Sequence, residues 1–276
     1  MPVVYACIAP HGDELIPKIA GKNRGLAADS TKGMRRLAAE IKDARPETIV
    51  IATPHNLRLT KSIGVVVAEN SSGKAGSKAA EISLSARCDP DLAYEFLSAA
   101  EEARLPAIGA NYGTASGQLS NMAMDWGTVI PLWFFLKRNH LKSRIVIVTP
   151  SREIPLEQNF TFGVKVGEVS EVSRKRVAFV ASADQAHAHD GKGPYGFSPM
   201  ADRYDRMVVD AIERGRLSDI LSFDPEMVEG AKPDSLWQMA MLAGLLKVVK
   251  MEGKLYSYEV PTYFGMLCAG YTRLRA

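Results

Sequence analysis

Cysteine is scarce in this chain of 276 residues, and its spacing does not favour cross-linking. The three cysteines, Cys7, Cys88 and Cys268, lie far apart and form no C-x-x-C pair. This spacing argues against a disulfide framework and against a zinc site built from thiolates. Such cysteine use is typical of proteins in a reducing compartment, and we expect a cytoplasmic location.

Long apolar runs and concentrated positive charge are also absent. No segment reaches the roughly 18 uncharged apolar residues expected of a membrane span, and the N-terminus lacks the basic flank and long apolar core of a signal peptide. The formal net charge is only +3, and the basic residues form no stripe interleaved with aromatic residues. The sequence therefore predicts neither a membrane nor a nucleic-acid partner. Its 46% hydrophobic and 24% charged residues are ordinary for a globular protein.

Three apolar, β-like segments run into histidine. Val3–His11 and Thr48–His55 both finish with Pro-His, and Arg176–Phe197 changes after its apolar part into a histidine-rich polar segment. A fourth strand-like run, Arg144–Val148, is followed by Thr-Pro-Ser. Ligands of open α/β sheets bind beyond the carboxyl ends of the strands, where loops converge on a crevice. We therefore expect these polar residues to meet at one site.

The segments between these runs indicate an α/β fold. Ser30–Ala44 has apolar residues at helical spacing and lies between two strand-like runs, which is the order of a βαβ unit with parallel strands. Ser235–Lys250 is apolar on nearly every side and predicts a buried helix. Asn70–Ser77 is small and polar and predicts a loop. We predict a single domain over residues 1–276, with a central, mostly parallel or mixed sheet flanked by helices and the site at the carboxyl ends of strands.

His11 and His55 are the natural pair of metal ligands. Imidazole nitrogens bind Fe, Zn, Cu and Ni, and two histidines with one carboxylate form the facial triad that holds Fe(II) with open positions. A lone histidine at a strand end is more often a surface or hydrogen-bonded residue, but here two share the same apolar-Pro-His context. Spacing does not choose the carboxylate, for which the candidates are Asp234, Glu229, Asp13 and Glu14. Asp234 could equally be the N-cap of the helix that follows it.

His187 and His189 are candidates for acid–base catalysis. A neutral imidazole, with an unperturbed pKa of about 6.5, is suited to take a hydroxyl proton at neutral pH. In an extended segment both side chains would point to one side. The alternative is that Asp184 and Asp190 merely neutralise two exposed imidazoles.

Five motifs, taken in order, resemble the class III extradiol ring-cleavage dioxygenases of the catalytic B-subunit superfamily, which also includes the Memo-like proteins. The resemblance extends over residues 3–270. The motifs are Ala9-Pro10-His11-Gly12, Thr53-Pro54-His55, Ser182-Ala183-Asp184-Gln185-Ala186-His187, Gly193-Pro194-Tyr195-Gly196 and Asp234-Ser235-Leu236-Trp237-Gln238.

The resemblance implies a mononuclear non-haem Fe(II), with Zn or Mn as alternatives. His11 and His55 fall on the two metal histidines of the family and His187 on its acid–base histidine. Asp234 lies at or beside the position of the third ligand, with Glu229 as its competitor. The expected reaction is opening of a catechol- or aminophenol-type ring with O2. The expected partners are that small aromatic substrate, further copies of the chain in a homo-oligomer, and a small separate subunit as in some family members.

One departure from the family bears on the substrate. Ring-cleaving members often have Asp-His-Gly before an apolar helix, whereas this chain has Asp125-Trp126-Gly127. An indole can neither take a proton nor accept a hydrogen bond. The usual catechol substrate is therefore in question, and two alternatives stay open: a Memo-like metal-binding protein without ring cleavage, and a metal-dependent hydrolase on the same scaffold.

Overall fold

The computed structural model describes residues 2–274. The chain forms eleven strands and seven α-helices over these residues. The strands are β1 (Val3–Ala9), β2 (Thr48–Ala52), β3 (Ile63–Val66), β4 (Asn70–Ser77), β5 (Ala80–Arg87), β6 (Ala107–Ala110), β7 (Asn121–Met124), β8 (Arg144–Thr149), β9 (Val177–Ser182), β10 (Met251–Glu259) and β11 (Met266–Arg273). The α-helices are α1 (Ala28–Ala44), α2 (Pro90–Glu102), α3 (Trp126–Leu132), α4 (Leu156–Val172), α5 (Pro199–Glu213), α6 (Pro225–Ala231) and α7 (Leu236–Val248).

Eight strands form one mixed sheet in the order β10-β11-β1-β9-β2-β8-β3-β6. Its centre is parallel, because β1 and β2 both pair in parallel with β9, and β8 pairs in parallel with β2. β11 joins β1 antiparallel, and β3 joins β8 antiparallel. The predicted fold class, an α/β domain with a mixed sheet flanked by helices, is confirmed. The carboxyl ends of β1, β9 and β2 lie side by side, and this edge carries the site.

The central strands are apolar throughout because both faces of the sheet are covered. Every residue of β2 and of β9 is buried, as their continuous β-branched and small apolar sequences require. One core cluster includes side chains of α4 and α7, and a second includes those of α1 and α3. The three cysteines are buried free thiols. Within residues 2–274, no helix combines the length and the apolar character needed to cross a membrane.

The segment Asn70–Ser77 is a strand, so the loop prediction was wrong. It is β4, which pairs along its whole length with β5 in an antiparallel hairpin and in parallel with β7, in a separate three-stranded sheet. Its serines and glycines have low strand propensity, but pairing on both sides satisfies the backbone and overrides that local preference. The Ser71 hydroxyl also donates a hydrogen bond of 2.7 Å to the Met122 carbonyl.

Two glycines let α4 and α7 approach each other at backbone distance. A Cβ on Gly163 of α4 would overlap the carbonyl oxygen of Met241 in α7. A Cβ on Gly244 of α7 would overlap the carbonyl oxygen of Phe160 in α4. Both glycines have low helix propensity, but packing requires them because no larger residue fits at either position.

Replacing Gly163 with alanine should lower the free energy of unfolding by about 3 kcal/mol, because the helices must separate to admit the methyl group. Urea denaturation would measure the change. Gly191→Ala is the matched control, since its Cβ would meet only the Cβ of Phe197, at an ordinary 3.8 Å. Equal stabilities for the two variants would contradict the close contact of α4 with α7.

Candidate metal centre

Two imidazoles and one carboxylate converge at the carboxyl edge of the central strands. Nε2 of His11 lies 3.2 Å from Nε2 of His55. Oδ2 of Asp234 lies 3.3 Å from the first nitrogen and 3.1 Å from the second. His11 and Asp234 are buried, whereas His55 is partly open to solvent. These three residues are the candidate metal-binding group among the described residues.

The three ligand atoms have the spacing that a single cation requires. Metal–ligand bonds of about 2.1 Å place neighbouring ligands about 3.0 Å apart in an octahedral site and about 3.4 Å apart in a tetrahedral one. The observed edges of 3.1, 3.2 and 3.3 Å lie between these values. Two neutral imidazoles and a carboxylate are also the donor set of a facial triad. The residues present therefore fit a divalent transition metal, and the spacing suits Fe(II) and Zn(II) equally.

His11 is held in the tautomer that a metal needs. It lies just after β1, and its Nδ1 is 2.9 Å from Oγ of Ser182, the last residue of β9. The Ser182 hydroxyl donates its single proton to the Gly127 carbonyl at 2.5 Å, so towards His11 it can only accept. Nδ1 of neutral His11 therefore carries the proton, and the lone pair of Nε2 points at the centre. This is the support that ligating histidines usually receive from a neighbouring polar group.

Asp234 is oriented by the strand-end segment rather than by the helix that follows it. Its Oδ1 accepts a 3.0 Å hydrogen bond from the backbone N–H of Asp184. The N-cap of α7 is Ser235, and no side-chain cap bond is formed there. The Asp234 carbonyl accepts a 2.7 Å bond from the Gln238 amide. The alternative in which Asp234 is only a helix cap does not hold in this structure.

The other carboxylates considered as the third ligand either bind other side chains or lie outside the group of three. Glu229 is exposed and forms an ion pair with Lys232. Glu14 accepts a 2.9 Å hydrogen bond from the Asn23 amide. Asp13 lines the cavity in front of the centre but lies outside the metal-binding group.

Asp184 is a third buried polar residue at the centre, beside His11 and Asp234, and the sequence analysis treated it only as a neutralising charge. Its Oδ1 accepts a 3.0 Å bond from the His11 backbone N–H, and its Oδ2 lies 3.4 Å from Nε2 of His11. Burial raises the pKa of Asp184 to about 6, although the charge that His11 carries when it is protonated opposes this shift. Burial also opposes ionisation of Asp234, but when His11 is protonated its charge, its hydrogen bond and that of His55 outweigh burial and lower the pKa of Asp234. Asp234 is accordingly the ionised ligand of the pair.

His187 faces the centre from one side. Its Nε2 lies 4.0 Å from Oδ2 of Asp234, and its ring stacks on Phe264 at a centroid distance of 5.3 Å. Nδ1 lies 2.9 Å from the Gln185 carbonyl, which can only accept, so Nδ1 of the neutral ring carries the proton. The unprotonated Nε2 is then free to accept a proton from a molecule bound beside the ligands.

His189 has different surroundings from His187. Its Nε2 lies 2.9 Å from Oδ2 of the buried Asp205 in α5. Oδ2 also accepts a 2.8 Å bond from the Tyr258 hydroxyl, and Oδ1 accepts a 2.9 Å bond from the Ala186 N–H. Asp205 thus fixes the segment on either side of His187, and His189 is part of that support. A catalytic role for His189 stays a prediction.

Replacing Asp205 with alanine should lower the free energy of unfolding by about 3 kcal/mol, because the N–H of Ala186 and the side chains of His189 and Tyr258 lose a charged acceptor. Chemical denaturation would measure the loss. Asp202→Ala is the control on the same helix, where an exposed ion pair with Arg206 contributes about 0.5 kcal/mol. A stable Asp205→Ala protein would contradict the supporting role.

Trp126 forms one wall of the centre. It begins α3, and its indole stacks on the His55 ring with centroids 4.3 Å apart and an interplanar angle of 23°. The side chain is 48% exposed, so it borders the opening rather than the core. Asp125 caps α3 and accepts a 2.8 Å bond from the Thr53 hydroxyl.

Two cavities meet at the ligands. One, of about 500 Å³, extends past His55, His187 and Asp234 to Arg58 and Arg152. The other, of about 490 Å³, reaches all three ligands and is bounded by Trp126, aromatic side chains from the segment before β11, and the β4–β5 hairpin. Volumes of this size are typical of small-molecule sites. Apart from Trp126, these walls could not be predicted from the sequence, because their residues come from segments far apart in the chain.

The sequence pattern of one protein family matches residues 5–267 of this chain. The description of that family is the catalytic LigB subunit of aromatic ring-opening dioxygenase.

Two individual proteins are also similar to the chain. Protein CA_C1420 of Clostridium acetobutylicum is 24% identical over 253 residues, which cover 91% of this chain and 54% of that protein. The chain therefore spans about half of the length of this curated relative. The crystal structure of the uncharacterized protein JW3007 from Escherichia coli K12 superposes with a TM-score of 0.60 at 16% identity, covering 97% of this chain and 99% of that one. At this identity the second likeness concerns the fold alone.

Proposed function

Because this chain belongs to the family of the catalytic LigB subunit of aromatic ring-opening dioxygenase, we propose that it is a non-haem Fe(II)-dependent extradiol dioxygenase. Its substrate would be a catechol- or aminophenol-type ring. The observation that carries the proposal is the triangle of His11, His55 and Asp234, with ligand atoms 3.1 to 3.3 Å apart and one side open to two cavities.

The side chains around the centre have distinct parts in this reaction. His11, His55 and Asp234 would hold the ion, which when bound supplies Lewis-acid activation of adjacent hydroxyls and electron transfer to O2. The free Nε2 of His187 would accept a proton from a substrate hydroxyl. The carbon–carbon bond beside the two hydroxyls is cleaved, and both atoms of O2 enter the product. The aromatic walls limit the access of water.

Metal analysis and oxygen uptake test the proposal. The protein would be purified without O2, analysed for metal, loaded with Fe(II) and mixed with catechols, protocatechuates and aminophenols. We expect one iron per chain and oxygen consumption with a yellow ring-opened product. Tightly bound zinc with hydrolysis in the absence of O2 would instead support a hydrolase.

A Memo-like protein that binds metal without cleaving a ring is the second candidate. Trp126 favours it, because the indole stacked on His55 stands where ring-cleaving relatives often have a histidine. Stoichiometric iron with no oxygen uptake across the whole panel would support this candidate. The expected homo-oligomer and small partner subunit stay proposals, which light scattering and co-purification would test.

Trp126→His should increase oxygen uptake with unsubstituted catechol about tenfold, since an imidazole can form one more hydrogen bond to a substrate hydroxyl. Initial rates at saturating Fe(II) would measure the effect. Trp126→Phe keeps an aromatic ring against His55 and should show no gain. If both variants behave alike, Trp126 does not restrict the substrate through its missing imidazole.

A further inference from the structure

The smaller, three-stranded sheet has an open edge with a groove beside it. β5 is an outer strand in the order β5-β4-β7, and among residues 2–274 its one strand partner is β4. A cavity of about 770 Å³, which we call the β5 groove, is lined by Ser83–Arg87 of β5 and by residues between Leu136 and Arg144. No described residue of β4 or β7 lines it, so it lies on the side of β5 away from its partner. The five strand residues correspond to about 16 Å of backbone.

Backbone polar groups of β5 face this groove. The Ser83 carbonyl accepts a 3.2 Å hydrogen bond from Nζ of Lys137, which also lines the groove. In an antiparallel strand the N–H and C=O groups of alternate residues point to the same edge, so those of Ser85 face the groove as well. Apart from the pairing with β4, neither serine N–H donates to a backbone carbonyl within residues 2–274. The edge can therefore accept a further strand through backbone hydrogen bonds.

The β5 groove is also cationic. Four exposed, positively charged side chains line it: Arg87, Lys137, Lys142 and Arg144. No carboxylate belongs to its lining in the described part of the chain. The acidic residue of β5, Glu81, pairs instead with Lys74 on β4. The groove therefore attracts negative charge that the chain itself does not supply there.

Apolar side chains complete the lining of the groove. Leu84 and Leu136 are buried, and Leu141 is partly buried. The side chains of an added strand point alternately to the two faces of the sheet. A segment in which acidic and apolar residues alternate can thus present charge on one face and apolar surface on the other.

We propose that the β5 groove binds an extended acidic segment of a partner protein, which adds to the three-stranded sheet as a fourth strand beside β5. The row of backbone groups favours a peptide over a nucleic acid, because a polynucleotide cannot continue the pattern of N–H and C=O pairing. The charge favours an acidic segment over a second copy of this chain. Pairing of two copies through β5 would bring both sets of four cations to the same edge, where like charges destabilise the pairing.

Binding of short, fluorescein-labelled peptides to the full chain tests the proposal. The acidic probe is a blocked hexapeptide of alternating glutamate and valine, and the basic probe has lysine in place of glutamate. Fluorescence anisotropy at low salt would measure both dissociation constants. We expect the acidic peptide to bind at least about tenfold more tightly, because ion pairs form in its complex and like charges meet in the other.

Strand pairing is tested separately from charge. The acidic peptide methylated at every backbone nitrogen keeps its carboxylates but has no backbone donors, and it should bind at least about tenfold more weakly than the unmodified peptide. Amide hydrogen exchange should slow at Ser83 and Ser85 when the unmodified acidic peptide is bound, since their N–H groups would then be bonded.

Variants assign the charge preference to the groove. Lys137→Gln combined with Lys142→Gln should weaken binding of the acidic peptide about fivefold to tenfold. Lys18→Gln combined with Arg203→Gln is the matched control. It removes the same net charge from exposed positions outside the groove and should bind the peptide like the wild type.

Several results would overturn the proposal. Equal binding of the unmodified and methylated acidic peptides, or equally tight binding of a thymidine hexanucleotide, would indicate a surface for polyanions in general. Dimerisation that protects Ser83 and Ser85 without any peptide would indicate a second copy in the groove. Failure of a monomeric protein to bind either peptide would indicate that the four cations keep other strands away from the edge. None of these measurements depends on metal or on oxygen uptake, so the proposed function is tested independently.

Discussion

The His11→Ala variant is expected to lose its metal and, with it, all oxygen uptake. His11 is buried and contributes one of three ligand atoms, so its removal leaves an imidazole and a carboxylate that cannot define a closed coordination face. Loss of a group that only supports a ligand typically weakens metal binding 10- to 100-fold, and loss of a ligand should exceed about 100-fold. Competition with a chelator, followed by metal analysis, would measure the change.

Two further variants distinguish the loss of a ligand from the loss of the group that orients it. Ser182→Ala removes the acceptor that fixes the His11 tautomer but keeps the ligand, so its metal affinity should fall about 10- to 100-fold. His140→Asn changes an exposed histidine with a positive φ, a backbone conformation that asparagine tolerates, and should bind metal normally. Full metal occupancy in His11→Ala would refute the assignment of His11 as a ligand.

The His187→Gln variant is expected to keep its metal and lose turnover. His187 lies outside the metal-binding triangle, and its Nε2 has no proton in the neutral tautomer that its bond with Gln185 selects. Removing a general base typically lowers the rate about 100- to 10,000-fold. The rate would be measured by oxygen uptake with a substrate identified in the panel, at confirmed iron content.

The two neighbouring histidines can be compared in the same assay. His189→Gln keeps a polar side chain against Asp205 and should change the turnover rate much less than His187→Gln. An equal loss in both variants would support the prediction that both histidines take part in catalysis. Loss of metal from His187→Gln would argue against separate ligand and base roles.

The strand ends were the most predictable part of the molecule. Because the central strands are buried on both faces, their sequences are continuously apolar, and the point where polarity returns marks the sheet edge. That rule was sufficient to bring His11 and His55 to one place. Asp234 could not be chosen by the same rule, since it precedes a helix rather than following a strand, and its orientation depends on a backbone N–H donated from Asp184.

The parts of the site that could not be predicted from the sequence depend on side chains that meet only in the tertiary structure. Arg152 and Trp237 are far apart in the chain, and nothing in either local sequence indicates that their side chains stack. The acceptor role of Ser182 requires the position of the Gly127 carbonyl, which no spacing provides. β4 was mistaken for a loop because its strand character comes from its two partners rather than from its own residues.

The contact between α4 and α7 also has a consequence for how the molecule moves. With Gly163 and Gly244 allowing backbone contact, the two helices leave no free space for sliding, and the N-terminal end of α7 carries Asp234 with it. The cavity that reaches all three ligands is also lined by Gly76 of the β4–β5 hairpin, and this hairpin belongs to the smaller sheet. Amide hydrogen exchange should therefore be slowest in α7 and fastest in the hairpin. The site would therefore open by displacement of the hairpin and not by movement of α7.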